Sequence, residues 1–219
     1  MRVTVVRNSE HAPEGAFGEW LAGQGHALKA IDGDALDEDA ARGAELLVLL
    51  GSPHGVYDTH IPWVARQRGL VAARLADRRP TIGICFGAQM MAAAAGGDST
   101  PMPEGRAFRG WFGMDEAEDP AFAGAWPRWH GDAITPPPGA RILARDAGTV
   151  QGFALPRAVG VQFHPEATPA ILQAWAERLA PPGLVDAAAL AAASARHFPA
   201  RDAARRILFA RMLRRATEE

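Results

Sequence analysis

Three residue types in this chain could together perform nucleophilic chemistry. Cys85 is the only cysteine, and His164 and Glu166 stand two positions apart with Pro165 between them. A thiol attacks a carbonyl carbon once a base has taken its proton. Imidazole suits that task near neutrality and can return the proton to a leaving amine. A carboxylate beside the imidazole would fix its tautomer and support its charged form. Cys85 follows Thr81-Ile82-Gly83-Ile84 and precedes Phe86-Gly87-Ala88-Gln89-Met90-Met91, four alanines and Gly96-Gly97. This order predicts a strand, a sharp turn and a helix, with the sulfur projecting from the carboxyl edge of a sheet. Gly83 and Gly87 permit the close backbone approach that the turn requires, and the helix N-terminus favours a thiolate. The competing readings are a buried core thiol for Cys85, a strand-end histidine for His164 and a solvated loop acid for Glu166. A metal site at His164 and Glu166 lacks further ligands nearby in the sequence.

Gly83-Ile84-Cys85-Phe86-Gly87-Ala88-Gln89 resembles the nucleophile motif of class I glutamine amidotransferases, and Val161-Gln162-Phe163-His164-Pro165-Glu166 resembles the second signature of that family. Two motifs in the right order imply Cys85, His164 and Glu166 as a catalytic triad. Elbow folds draw one oxyanion donor from the backbone N–H after the nucleophile, here Phe86, and one from a neighbouring strand-end loop. Gly51 in Gly51-Ser52-Pro53-His54-Gly55 resembles the family's oxyanion loop, with Ser52 where many members carry a second glycine. The resemblance also implies Gln89 as a ligand for the amino-acid end of a glutamyl substrate. Trp129-His130-Gly131-Asp132 is similar to a strand-and-turn motif of the subset nearest the glutaminase part of GMP synthetase, so His130, Gly131 and Asp132 are expected to line the substrate pocket. In other cysteine-elbow folds a histidine follows the cysteine directly, whereas Phe86 stands there here; its bulk would either narrow the pocket or fill core. His11, His26, His54, His60 and His197 have no partner pattern and are assigned to surfaces or turns.

The family implies hydrolysis of the side-chain amide of glutamine, or of a γ-glutamyl compound, through a γ-glutamyl thioester. Three readings follow: a glutaminase supplying ammonia to an unidentified synthase subunit, a free-standing γ-glutamyl hydrolase or peptidase, and a catalytically idle binding module. The last has no need of all three triad side chains. No nucleotide-binding loop is evident, and neither a cofactor nor a metal is expected.

The elements that must position these residues alternate. Arg2–Arg7, His26–Ile31, Glu45–Leu50 and Thr81–Ile84 read as buried strands, and Glu14–Gln24, Asp37–Arg42 and Pro62–Asp77 as helices. Such βαβ alternation predicts a doubly wound, mostly parallel α/β sheet with helices on both faces, which for this family is a flavodoxin-like fold. After Gly96-Gly97 the short runs 108–114, 141–144, 149–155 and 158–163 predict β-hairpin extensions. Helices are expected at 169–179, 185–197 and 201–215. Residues 1–219 read as a single domain on which a C-terminal helical segment, 180–219, is packed; that segment would cover a sheet face or form a subunit contact such as a homodimer.

Bulk properties fit a folded, compact protein. Of 219 residues 48% are hydrophobic and 22% charged, and 23 basic against 25 acidic residues give a net charge of -2, which offers no footprint for nucleic acid or an anionic membrane. One cysteine rules out an internal disulfide framework. The sequence has no apolar run near the roughly 20 residues of a bilayer span and no signal-peptide-like start, so a cytoplasmic location is expected.

Overall fold

In the computed structural model, which describes residues 1–218, the apolar runs become strands and the amphipathic stretches between them become crossovers. The first half runs β1 (Arg2–Arg7), α1 (Gly15–Gly23), β2 (Ala27–Asp32), α2 (Glu38–Gly43), β3 (Leu46–Leu49), α3 (Pro62–Ala76), β4 (Thr81–Ile84) and α4 (Phe86–Ala94). The second half adds β5 (Asp98–Pro101), β6 (Phe108–Phe112), β7 (Glu116–Ala117), β8 (Trp126–His130), β9 (Asp132–Thr135), β10 (Arg141–Asp146), β11 (Thr149–Leu155) and β12 (Ala158–Val161), then α5 (Pro169–Arg178) and α6 (Ala187–Glu218).

Strands β2-β1-β3-β4-β12 lie in that order and pair in parallel. With β12 as the fifth strand this is the flavodoxin order, in which the crevice beyond the strands' carboxyl ends is the usual ligand site. Antiparallel β11, β10 and β7 extend the sheet, β9 and β5 branch from β11, and β6 pairs with β8 as a separate ribbon.

Why β3 is a continuous apolar run is clear from its two faces. Leu46, Val48 and Leu50 enter one core layer with Phe17, Leu21, Phe209 and Met212, while Leu47 and Leu49 enter the other with Val64, Val71, Phe86 and Met91. A strand covered on both faces needs apolar residues at every position.

The C-terminal segment departs from expectation. Residues 187–218 form one helix through Pro199, not two. An interior proline costs a helix about 3 kcal/mol, and contacts on either side offset it. Trp111 stacks on His197 at 4.7 Å and meets Phe198 edge-on at 4.8 Å, and Arg201 lies 4.3 Å over Trp126. Further along, Leu208, Phe209, Met212 and Ala216 are buried in the core. Strand β8 was also not foreseen as a full strand, since Pro127 and Arg128 interrupt its apolar pattern. Among the described residues it has a single strand partner, β6, which tolerates the missing N–H of Pro127. Arg128 is fully buried and is held by Asp146 and the Gly113 carbonyl.

Candidate active site

Cys85 sits between β4 and α4 with φ 54° and ψ -111°, a backbone region that non-glycine residues occupy only when their surroundings impose it. The surroundings do so through the flanking glycines. A Cβ on Gly83 would lie 2.6 Å from the Gly87 backbone and from the Met91 sulfur, and one on Gly87 would overlap the Leu49 carbonyl. The Cys85 N–H is tied to the Val161 carbonyl at 2.8 Å, and its carbonyl accepts the Gln89 N–H at 3.0 Å. Phe86 opens α4, so its N–H has no intrahelical acceptor. The Phe86 side chain turns away from the sulfur into the core, 5.9 Å from the Trp63 ring. Its bulk fills core rather than narrowing the cleft.

His164 lies just beyond β12 and is 2% exposed; Glu166 is 1% exposed. His164 Nδ1 and Glu166 Oε1 are 2.7 Å apart. Backbone ties hold both residues. The His164 N–H donates to the Pro127 carbonyl of β8 at 2.8 Å, and the Glu166 carbonyl accepts from Ala16 at the start of α1 at 2.9 Å. Gly15, with φ +45°, leaves no room for a Cβ against that same carbonyl. Burial pushes the imidazole pKa down, but the Glu166 carboxylate and then Cys85 outweigh it and raise His164 to about 10. His164 Nε2, the atom left for other work, is buried with no partner among the described residues.

Gly51, following β3, abuts both groups: a Cβ there would be 3.5 Å from His164 Cε1 and 4.0 Å from Cys85 Cβ. Cys85, His164, Gly51, Gln89, His130, Gly131 and Asp132 all line one cleft of about 290 Å³, the low end of the range for small-molecule sites. It opens at the carboxyl ends of β1, β3, β4 and β12. Glu166 stands behind His164 and is not part of the lining.

Gln89, 3% exposed, is not a helix-surface residue. Its Nε2 donates to Gln162 Oε1 at 3.1 Å, and Gln162 Nε2 reaches Cys85 Sγ at 3.6 Å. His130 is held neutral: burial pushes its pKa down to about 3, opposed by the hydrogen bond from Nδ1–H to the Asp132 carbonyl at 2.9 Å. Its Nε2 is buried and unpartnered among the described residues. Burial also raises the Asp132 carboxyl, which accepts from Tyr57 Oη at 3.4 Å.

Other cleft residues carried no signal in the sequence. Trp175 of α5 meets the His164 ring edge-on at 4.5 Å and donates Nε1–H to the His11 carbonyl at 2.6 Å. His11 and His54, assigned above to surface or turn, line the cleft, as do Arg109 and Tyr57; the β1 and β3 loops carry both histidines to the edge where the crevice opens. Gln162 was visible as part of a motif, but its link to the sulfur follows only from β12 lying beside β4. Among the described residues no three His, Cys, Asp or Glu side chains are grouped to hold a metal ion. No described helix is both long and apolar enough to cross a membrane.

Comparison with known proteins gives the family. Residues 2–174 match the model of the family described as glutamine amidotransferase class-I. The chain belongs to the class I glutamine amidotransferase family. Among similar proteins is the glutamine-hydrolysing GMP synthase of Thermus thermophilus, 37% identical over 147 residues, which cover 62% of this chain and 27% of that enzyme. The corresponding enzyme of Aeropyrum pernix is 36% identical over 148 residues, covering 61% and 26%. The chain thus spans about a quarter of the length of the curated relatives it matches. In fold, it resembles a glutamine amidotransferase from Thermotoga maritima with a TM-score of 0.84 at 24% identity, covering 100% of this chain and 99% of that one. It also resembles a glutamine amidotransferase from Methylobacillus flagellatus with a TM-score of 0.82 at 24% identity, covering 98% and 93%.

Proposed function

We propose that this amidotransferase hydrolyses the side-chain amide of glutamine, or of a γ-glutamyl compound, and supplies ammonia to a synthase partner. The observation that carries this reading is the meeting, in one cleft, of a cysteine on a strained elbow and a buried imidazole backed by a carboxylate.

His164, held by Glu166, takes the Cys85 proton as the sulfur attacks. The sulfur attacks the amide carbon, and the resulting oxyanion is received by the Phe86 and Gly51 N–H groups. His164 donates its proton to the nitrogen as the C–N bond breaks, releasing ammonia and leaving a γ-glutamyl thioester. Water then gives a proton to His164 and attacks the thioester carbon, and glutamate departs as the sulfur is freed. Glu166 keeps the ring oriented with Nε2 toward the reaction. Neutral His130 and the Asp132 carboxylate offer acceptors for the substrate's ammonium, with Gln89 and the Gly131 backbone shaping the same end. The relatives whose name includes both glutamine hydrolysis and GMP synthesis support the synthase partner, since this chain corresponds to only a quarter of their length.

The test is release of ammonia and glutamate from glutamine and from a panel of γ-glutamyl amides, with Cys85→Ala as control. Turnover that needs Cys85 supports the reading. The absence of both turnover and labelling of Cys85 by a glutamine-analogue electrophile would overturn it.

A further inference from the structure

The cleft holds a charge that the mechanism above does not use. Arg109 lies on β6, opposite Trp129 of β8 in the antiparallel register, so the two side chains leave the ribbon on the same face. The carbonyl of Trp129 is 3.9 Å from Cys85 Sγ, which places the Arg109 register position beside the nucleophile's strand-end neighbour. Arg109 is partly buried and lines the cleft with Cys85 and His164. Of all the residues lining it, Arg109 is the single Arg or Lys and Asp132 the single acid. The two are not paired with each other: Asp132 takes its hydrogen bond from Tyr57, and the Arg109 side chain makes no hydrogen bond, ion pair or ring contact with any described residue.

A partly buried guanidinium is seldom left without an acceptor, because desolvation weakens its interaction with water and leaves five donors to satisfy. Several buried and half-buried arginines here obey that rule: Arg7 pairs with Glu14, Arg74 with the Ala41, Ala44 and Pro80 carbonyls, and Arg128 with Asp146. Among the described residues Arg109 and Arg145 are half-buried without such a partner, and of the two Arg109 lines the cleft. A planar fork of this kind matches a carboxylate in bidentate geometry.

We propose that Arg109 anchors a carboxylate of the substrate. This rests on the γ-glutamyl reading above and gives the substrate class more closely: a compound whose scissile amide lies within one cleft's reach of a free carboxylate. That carboxylate has two sources, the α-carboxylate of the glutamyl unit or an acid on the departing amine. With Asp132 as the only acid in the lining, the cleft presents one anionic and one cationic group to a zwitterion.

The experiment compares wild type, Arg109→Gln and Arg109→Lys on four compounds: glutamine, glutamine with its α-carboxylate amidated, γ-glutamylmethylamide and γ-glutamylglycine. The expected result is a rise in KM of tenfold or more for Arg109→Gln on carboxylate-bearing substrates, with kcat within about twofold and most of the binding restored by Arg109→Lys. Loss confined to compounds with a free α-carboxylate assigns the glutamyl end. Loss confined to γ-glutamylglycine assigns the leaving group. Equal KM values in wild type and Arg109→Gln for all four would overturn the proposal. If none of the four is turned over, labelling of Cys85 by a glutamine-analogue electrophile decides the γ-glutamyl reading separately. Arg109 is then read by protection of Cys85 from iodoacetamide by glutamate, an acid that needs no turnover. Protection present in wild type and Arg109→Lys but absent in Arg109→Gln supports the anchor, and equal protection, or none, sinks it.

Discussion

Replacing Glu166 with glutamine keeps the shape of the buried pair and removes its charge, so the consequence can be worked from the structure. The carboxylate lies 2.7 Å from His164 Nδ1 and is the largest influence raising the imidazole from its ordinary 6.5 to about 10. At about 1.4 kcal/mol per pH unit, that rise corresponds to roughly 5 kcal/mol of net preference for the imidazolium, what remains after burial has opposed Glu166 and Cys85 together. In Glu166→Gln burial acts against the charged ring with Cys85 alone opposing it, and the His164 midpoint is expected more than one unit below the wild-type value. The assay is a histidine Cε1–H NMR titration of both proteins. Stability carries the same signature. A group with a raised folded pKa stabilises fully below its unfolded value near 6.5 and loses that contribution as pH climbs toward 10. Wild type should therefore weaken over that window, and Glu166→Gln should not show this slope. Glutaminase activity should fall by about 10²–10⁴-fold, as when an imidazole loses its orienting carboxylate. A His164 midpoint that moves by less than one unit would refute the reasoning, whatever the rate does.

Gly87→Ala should lower stability by about 1–3 kcal/mol or more and leave any folded fraction with an unreactive Cys85, because the new methyl overlaps the Leu49 carbonyl under the elbow; urea unfolding and thiol alkylation read both effects. His130 is held neutral with a pKa of about 3, so the unfolded chain takes up a proton first as pH falls below 6.5. Its share of stability should drop by about 2 kcal/mol at pH 5, and His130→Asn should flatten that part of the acid limb in urea midpoints. Gln162→Leu strands the buried Gln89 Nε2 and removes the donor 3.6 Å from Cys85 Sγ; a loss of about 1–3 kcal/mol with a lower kcat is expected, and unchanged kcat would deny Gln162 a positioning role.

What was legible in the sequence was whatever local pattern dictates. The buried strands β1, β3 and β4 announce themselves because both faces are covered and every residue must be apolar. The elbow is legible because only glycine fits at Gly83 and Gly87, and the His-Pro-Glu spacing keeps two side chains within reach of each other. The rest depends on pairings between distant segments. Pro199 signals a break, yet Trp111, Trp126 and the core clamp the helix on both sides of it. Pro127 and Arg128 disguise β8, whose arginine is satisfied by residues 15 and 18 positions away. His11, His54, Arg109 and Trp175 come together only because four strand ends and one helix share an edge of the sheet, and nothing near them in sequence marks that meeting.

The most direct test of the central claim is capture of the covalent intermediate. Glutamine is mixed with the protein, quenched in acid, and the chain is weighed intact and mapped by peptide. The account predicts one glutamyl group carried as an acid-stable, hydroxylamine-labile thioester on the peptide containing Cys85, absent in Cys85→Ala and diminished in Glu166→Gln. Ammonia release that persists in Cys85→Ala would contradict it.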